Sequence, residues 1–414
     1  MSGVMADCTI SATVRKLFRP LDSHGLMTSV SPTFSIRTDR DDSQVWTGED
    51  LTSAPSRSSI AGMSTLQRGI GRFLFSGFLL SIVGATPAQW INVTGNLADL
   101  PSECGNLCLL STVPGQDKII AGIAQRGLWQ TTDGGATWTP LGQGAGSDAI
   151  VNRPSRIVYD PTRADVFWES GIYNQWGVHH TADGGRTFRH LGKITHNDYV
   201  SLCFSDPQRR TLLAGGHEQS RTVWKSADGG QTWTNIGATL PEGTKFSSNP
   251  LLIDASTYLV NASGWGQGTG GVYRTTDGGA SWSLATNLEA TGAPLEARDG
   301  SIYWMLMYDR GLIRSTDRGQ SWTQVRGGGV LKGPMIIELP DGRLAAVGGK
   351  SVKVSADHGT NWSPVVAPAP IQPSGVIYAP VRQALYIWQW DCGNKVLTNA
   401  VWRHDYEVQP KPPR

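Results

Sequence analysis

Cysteine is scarce in this chain, five in 414 residues, and no two stand in a Cys-x-x-Cys pair or at zinc-finger spacing. That excludes a small disulfide-stapled scaffold and a cysteine-built metal centre. An excess of charge of one sign is lacking too: 36 Lys and Arg stand against 34 Asp and Glu, a net of +2, which argues against general binding to nucleic acid or another polyanion. Long hydrophobic runs are missing. The apolar stretch FLFSGFLLSIVGA (73–85) has 13 residues, where a membrane-spanning helix needs about 20. Glycine and tryptophan, by contrast, are plentiful at 50 and 16, and both recur in one repeated phrase.

The phrase occurs six times: TTDGGATW (131–138), TADGGRTF (181–188), SADGGQTW (226–233), TTDGGASW (275–282), STDRGQSW (315–322) and SADHGTNW (355–362). Its aspartates, Asp133, Asp183, Asp228, Asp277, Asp317 and Asp357, are 50, 45, 49, 40 and 40 residues apart, the period of a propeller blade. Each copy sits between short alternating stretches, such as GVYR (271–274) before and TNIG (234–237) after, so it reads as a hairpin with a glycine-bearing turn. The Asp side chain satisfies turn amides. The glycines at 135, 185, 230, 279, 319 and 359 are expected at positive φ, and the closing Trp or Phe188 is expected between blades. The pattern resembles the Asp-box (BNR) repeat of sialidases, xyloglucanases, sortilins and photosystem assembly factors, over roughly residues 89–405. The resemblance implies that these aspartates are structural and face away from an active site.

Two further strand-like runs precede each box, as in RIVYD-PTRA-DVFWES (156–170), which completes a four-stranded blade in the order A–B–C–box–D. A seventh A–B–C set, SGVIYAP-VRQ-ALYIWQW (374–390) and VLTNAVWRHDY (396–406), follows the last box. Its missing strand D is found at the other end, where QWINVTGNL (89–97) reads like TWTNIGATL (232–240). The expectation is an all-β, seven-bladed β-propeller over 89–406, closed by its N-terminal strand and followed by a Pro-rich tail, 407–414. Residues 1–62 read as a disordered or mis-assigned extension. Residues 63–88, with two arginines, the apolar run and small residues, have the layout of a secretory signal, either with translation from Met63 or as an N-terminal anchor. A secreted or periplasmic monomer is expected. Cys203, in an inner strand, reads as a buried free thiol, while Cys104, Cys108 and Cys392 become neighbours on ring closure and offer one disulfide of open pairing.

The box turns and the A–B turns share one face of such a ring. The B–C and D–A loops on the other face carry Glu169, Tyr173, Asn174, Gln175 and Trp176; His196, Asn197, Asp198 and Tyr199; His217, Glu218, Gln219 and Arg221; Trp265 and Gln267; Tyr308, Asp309 and Arg310; and Trp388, Trp390 and Asp391. Aromatic rings beside amides and charges suit sugars, which have apolar faces and hydroxyl edges. Tyr173, Asn174, Trp176, Trp265, Tyr308, Asp309, Arg310, Trp388 and Trp390 are therefore the candidate substrate-binding residues, and a polysaccharide or oligosaccharide the candidate partner. No metal or cofactor is expected beyond a structural or site calcium.

His196 precedes strand A of the third blade and His217 ends its strand B; a hairpin centred near residue 207 sets them almost opposite each other. HND (196–198) followed by GGHE (215–218) resembles the His-Asn and Gly-His pattern of seven-bladed polysaccharide lyases of the ulvan and rhamnose–glucuronate type. That resemblance covers about 25 residues, and it implies His196 and His217 as an acid/base or substrate-binding pair for β-elimination at a uronate. Elimination requires a base near neutrality, for which histidine is suited, an acid, with Tyr199 a candidate for either base or acid, and a cation such as Arg221 on the sugar carboxylate. Hydrolysis would instead use two carboxyl groups, from Glu169, Asp198, Glu218, Asp309 and Asp391. The arginine triad and Tyr–Glu pair that sialidase resemblance implies are not reproduced, the nearest phrase being NRPSR (152–156). A non-catalytic glycan-binding or protein-assembly module is the third reading.

Overall fold

The computed structural model describes residues 89–100, 102, 106–142, 150–264, 267–365, 367–389 and 399–409. These fall in one compact unit, Ser81–Arg414. The N-terminal extension, the signal-like segment, Cys104, Trp265, Trp390, Asp391 and Cys392 lie outside the described residues.

Seven four-stranded antiparallel sheets are arranged in a ring. Blade one comprises β2 (Leu107–Thr112), β3 (Ile119–Ile123), β4 (Gly127–Thr131) and β5 (Thr139–Pro140); blade two, β6 (Arg153–Asp160), β7 (Arg163–Ile172), β8 (Val178–Thr181) and β9 (Arg189–His190). Blade three comprises β10 (Tyr199–Leu202), β11 (Leu212–Gly215), β12 (Val223–Ser226) and β13 (Thr234–Asn235); blade four, β14 (Phe246–Leu252), β15 (Tyr258–Ser263), β16 (Gly271–Thr275) and β17 (Ser283–Thr286). Blade five comprises β18 (Ala290–Glu296), β19 (Ile302–Leu306), β20 (Leu312–Ser315) and β21 (Thr323–Arg326); blade six, β22 (Ile336–Glu338), β23 (Leu344–Gly348), β24 (Ser351–Ser355) and β25 (Ser363–Pro364). Blade seven joins β26 (Gly375–Ala379), β27 (Ala384–Trp388) and β28 (Val401–Asp405) to β1 (Ile91–Asn92) from the start of the chain.

The ring closes through the N-terminal strand, as the sequence suggested, with Ile91 opposite Arg403 and Asn92 opposite Trp402. Trp90 lies against the His404 ring at 5.3 Å and donates its indole N–H to the Ala367 carbonyl on the preceding blade. β1 thereby covers the edge of β28 and completes the four-stranded blade, so that only short outer edges remain around the ring. Apolar B strands such as β3 and β27 are buried along their whole length, so the core is a series of layers between adjacent blades.

The six boxes share one hydrogen-bond scheme. In the third, Asp228 accepts from the Ser226 hydroxyl (2.8 Å), the Gln231 and Thr232 amides (3.0 and 2.9 Å) and the Thr232 hydroxyl (2.6 Å), while the Gly230 amide donates to Ser226 Oγ. Gly230 has φ 88°, and a Cβ there would come within 2.7 Å of Leu191 on the neighbouring blade. Box tryptophans bridge the same gap, the Trp233 indole donating to Leu191 O and that of Trp138 to Val93 O.

Candidate functional site

On the face opposite the box turns, the inner strands enclose a cavity of about 800 Å³ at the ring centre. Ser111, Arg153, Arg156, Tyr199, Asn249, Pro294 and Ile337 line its wall, and Tyr173, His217, Glu218, Tyr308 and Asp309 its mouth.

Three loops build the mouth. Tyr173 follows β7, His196–Asp198 precede β10, and His217–Glu218 follow β11. β10 and β11 pair about residue 207, with Tyr199 opposite Gly215 as the sequence suggested, and beyond the strand ends His196 and His217 stand side by side. Their ring centroids are 4.9 Å apart. The Tyr173 ring stands edge-on to both, at 5.2 and 6.0 Å, and its hydroxyl is 3.2 Å from His217 Nε2.

Behind His217, Asp198 Oδ2 accepts from both the backbone N–H (2.7 Å) and Nδ1 (2.8 Å) of that histidine. This fixes the ring and leaves Nε2 directed at Tyr173. Ser170 of β7 holds Asp198 in turn, donating from Oγ to its carbonyl and accepting from Val200 N, both at 3.1 Å. Gln219 Nε2 donates to the His196 carbonyl. Gly216 has no room for a side chain, since a Cβ would meet His196 O at 1.9 Å. Glu218, its side chain 45% exposed, reaches 3.8 Å from His196 Nε2 and 3.9 Å from His217 Nε2.

Strain gathers here. Of the thirteen non-glycine residues with positive φ among the described residues, Tyr173, Glu218, Tyr308 and Asp309 line this one opening, and His196 lies against His217 beside it. Side chains in that region cost of order 1–3 kcal/mol each and concentrate at functional sites.

The two histidines are shifted in opposite directions. Burial, the largest influence, draws His217 down, but the hydrogen bond and charge of Asp198, with Glu218, outweigh it and the net shift is upward. His196 is held below its ordinary value by burial and then by His217. Deeper in the channel Tyr199 is pushed well above the usual phenol range, by burial first and then by Asp198. It stays protonated and is unsuited to act as a base. Arg156 retains accessible surface towards the channel while protein surrounds it; burial lowers its pKa, opposed by Tyr199 and Glu296. Its Nη1 has no hydrogen-bond partner. Glu296 is raised by burial, against the pull of Arg156.

Several predicted site residues stand elsewhere. Glu169 is fully buried inside blade two, where Oε2 pairs with His179 Nδ1 at 3.0 Å and Asn152 Nδ2 at 3.3 Å, so a sugar cannot reach it. Arg221 donates to the Ala238 carbonyl and does not line the cavity. Trp176 stacks on His190 at 5.0 Å, also off the cavity, and Asn174 is exposed beside it. Tyr308 is 65% exposed at the mouth, with the Arg310 guanidinium 5.8 Å from its ring; Asp309 pairs with Lys332 at 3.7 Å. Trp388 lines the wall against Gly375. Cys203 is buried and free, its sulfur 3.0 Å from Ser205 Oγ; Cys108 is half-buried, its thiol 3.3 Å from the Asn106 carbonyl. Arg153 and Arg156 were missed as candidates. Their signal was two arginines in one inner strand, within NRPSR.

No family model matches the chain. Among curated proteins, it is 28% identical over 229 residues to a "Probable oligoxyloglucan-reducing end-specific xyloglucanase" of Neosartorya fischeri, covering 47% of this chain and 26% of that protein. It is 24% identical over 220 residues to a xyloglucanase of Paenibacillus sp (48% and 18%), and 22% identical over 262 residues to a sialidase of Bacteroides fragilis (48% and 48%). The chain is a seven-bladed β-propeller, similar over about half its length to xyloglucanases and a sialidase. It spans less than half the length of each of these relatives. The propeller also superposes on the GH74 xyloglucanase from Xanthomonas campestris, with TM-score 0.51 and 18% identity over 77% of this chain and 54% of that one. YCF48 bound to D1 peptide gives TM-score 0.50 and 15% identity over 78% and 98%. At such identities these two likenesses speak for the fold alone.

Proposed function

We propose that the propeller is an exported protein that binds and cleaves a polysaccharide or oligosaccharide at the channel mouth. The observation that carries this is the Tyr173–His217–Asp198 chain, in which a buried carboxylate orients an imidazole whose other nitrogen meets a phenol at the opening of a cavity large enough for a sugar. The xyloglucanase and sialidase names of the partial relatives support a carbohydrate substrate. Export is supported by the signal-like segment 63–88, and no helix among the described residues is long and apolar enough to cross a membrane.

The geometry favours elimination at a uronate. His217 and Tyr173 supply proton transfer, and Arg153 and Arg156, in place of Arg221, supply positive charge for the sugar carboxylate. Hydrolysis is the second reading, favoured by the relatives' names, with Glu218 and Asp309 as the accessible carboxyl groups at the mouth. Incubation with a panel of neutral and uronate-containing glycans separates the two: elimination yields new reducing ends with absorbance near 235 nm, hydrolysis new ends without it. Binding without cleavage would replace both by a binding module, and neither binding nor cleavage across the panel would refute the proposal.

A further inference from the structure

The mouth holds one cluster whose donor set is that of a metal site. A ring nitrogen of His196, a ring nitrogen of His217 and a carboxylate oxygen of Glu218 lie within 4.8 Å of one another. We propose that these three residues bind a divalent transition metal ion of the zinc class, with the remaining coordination position open to the cavity.

Four observations carry this inference. First, the spacing fits: Glu218 stands 3.8 and 3.9 Å from the two Nε2 atoms. These contacts come from different oxygens, Oε2 to His196 and Oε1 to His217; tetrahedral ligands at the usual zinc distances are about 3.4 Å apart, so donors within 4.8 Å of one another close on an ion by at most about 1.4 Å, which rotation of the exposed Glu218 side chain can supply. Second, His217 is already oriented as a ligand, because Nδ1 is bound to Asp198 and Nε2 faces the cluster, the carboxylate–histidine arrangement that sets tautomer and direction at metal centres. Third, His196 Nε2 is sealed from solvent and has no hydrogen-bond partner, a buried nitrogen for which a cation would be the missing neighbour. Fourth, His196 and Glu218 are both held at positive φ, 60° and 61°, so the backbone fixes two of the three ligands in a conformation that neither prefers.

Two imidazoles with one carboxylate suit zinc and its neighbours better than calcium, which prefers an all-oxygen shell. Three protein ligands with an open position are the pattern of reactive rather than structural sites. A bound ion would supply Lewis-acid neutralisation of a substrate carboxylate, and with His217 Nε2 engaged as a ligand, proton transfer would pass to Tyr173. The site stands independently of the sugar reading, since it is defined by protein atoms alone.

The test uses the purified full chain after treatment with EDTA. Calorimetric titration should show one equivalent of Zn²⁺ bound, and Co²⁺ should give a visible absorption band that Zn²⁺ displaces. Asp198→Asn should weaken Zn²⁺ binding about 10–100-fold. His196→Gln and Glu218→Gln should each weaken it at least as much; Glu218 is exposed, so its variant should melt like the wild type. Failure of the stripped wild type to bind Zn²⁺ or Co²⁺, or equal binding by the His196→Gln/Glu218→Gln double variant, would overturn the proposal. Glycan binding by the stripped protein, measured separately, tests the sugar reading without reference to the metal.

Discussion

Replacing Asp228 by Ala removes a carboxylate that gathers four donors in one turn, yet the cost should be modest. Hydrogen bonds to a charged group contribute about 1.5–3 kcal/mol each when buried, but these donors sit on an open hairpin where water re-pairs the freed amides, so the total falls to about 1–3 kcal/mol. A melting shift of about 2–4 °C per kcal/mol holds for domains of 150–250 residues and is smaller for a larger ring, so a loss of a few degrees is expected. The sign with pH follows from the shift of Asp228 to about 2, caused first by the Thr232 hydroxyl and then by the Thr232 amide. A depressed carboxylate contributes its stability in full above its ordinary value of about 3.9 and loses it as pH falls towards 2. Denaturant titrations of the two proteins from pH 7 to pH 2 should therefore converge in the acid range. A constant difference down to pH 2, or lost turnover with unchanged melting, would refute the structural reading of the boxes.

Other outcomes follow from the mouth and the channel. Gly216→Ala should displace His196, because the new methyl meets a backbone carbonyl that cannot rotate away; a destabilisation of about 1–3 kcal/mol with weakened glycan binding is expected in denaturation and calorimetry. Arg156→Met should weaken binding of acidic oligosaccharides and leave neutral ones unchanged, and equal loss for both would remove the arginine from the site.

The fold was legible because a propeller repeats: six spaced aspartates gave the blades, and the likeness of 89–97 to 232–240 gave the closing strand. Within the site, His196, His217, Asp198, Glu218 and Tyr173 come together because short loops leave adjoining strand ends at one rim. Direction was less legible than position. Glu169 falls inside β7, which runs on to Ile172, so alternation turns its side chain into the blade and not onto the rim. Arg221 is at φ 52° in a loop that folds back over Ala238. Arg153 and Arg156 are visible in NRPSR as two arginines of one inner strand, but their place on a shared cavity wall depends on the inner strands converging.

Turnover by His217→Ala, on whichever glycan the wild type cleaves, decides whether the chemistry sits at the channel mouth. A fall of at least about 10²-fold is expected with melting little changed, since the ring is at the mouth and only partly buried. Wild-type turnover by a folded His217→Ala protein would contradict it and move the chemistry away from the channel mouth.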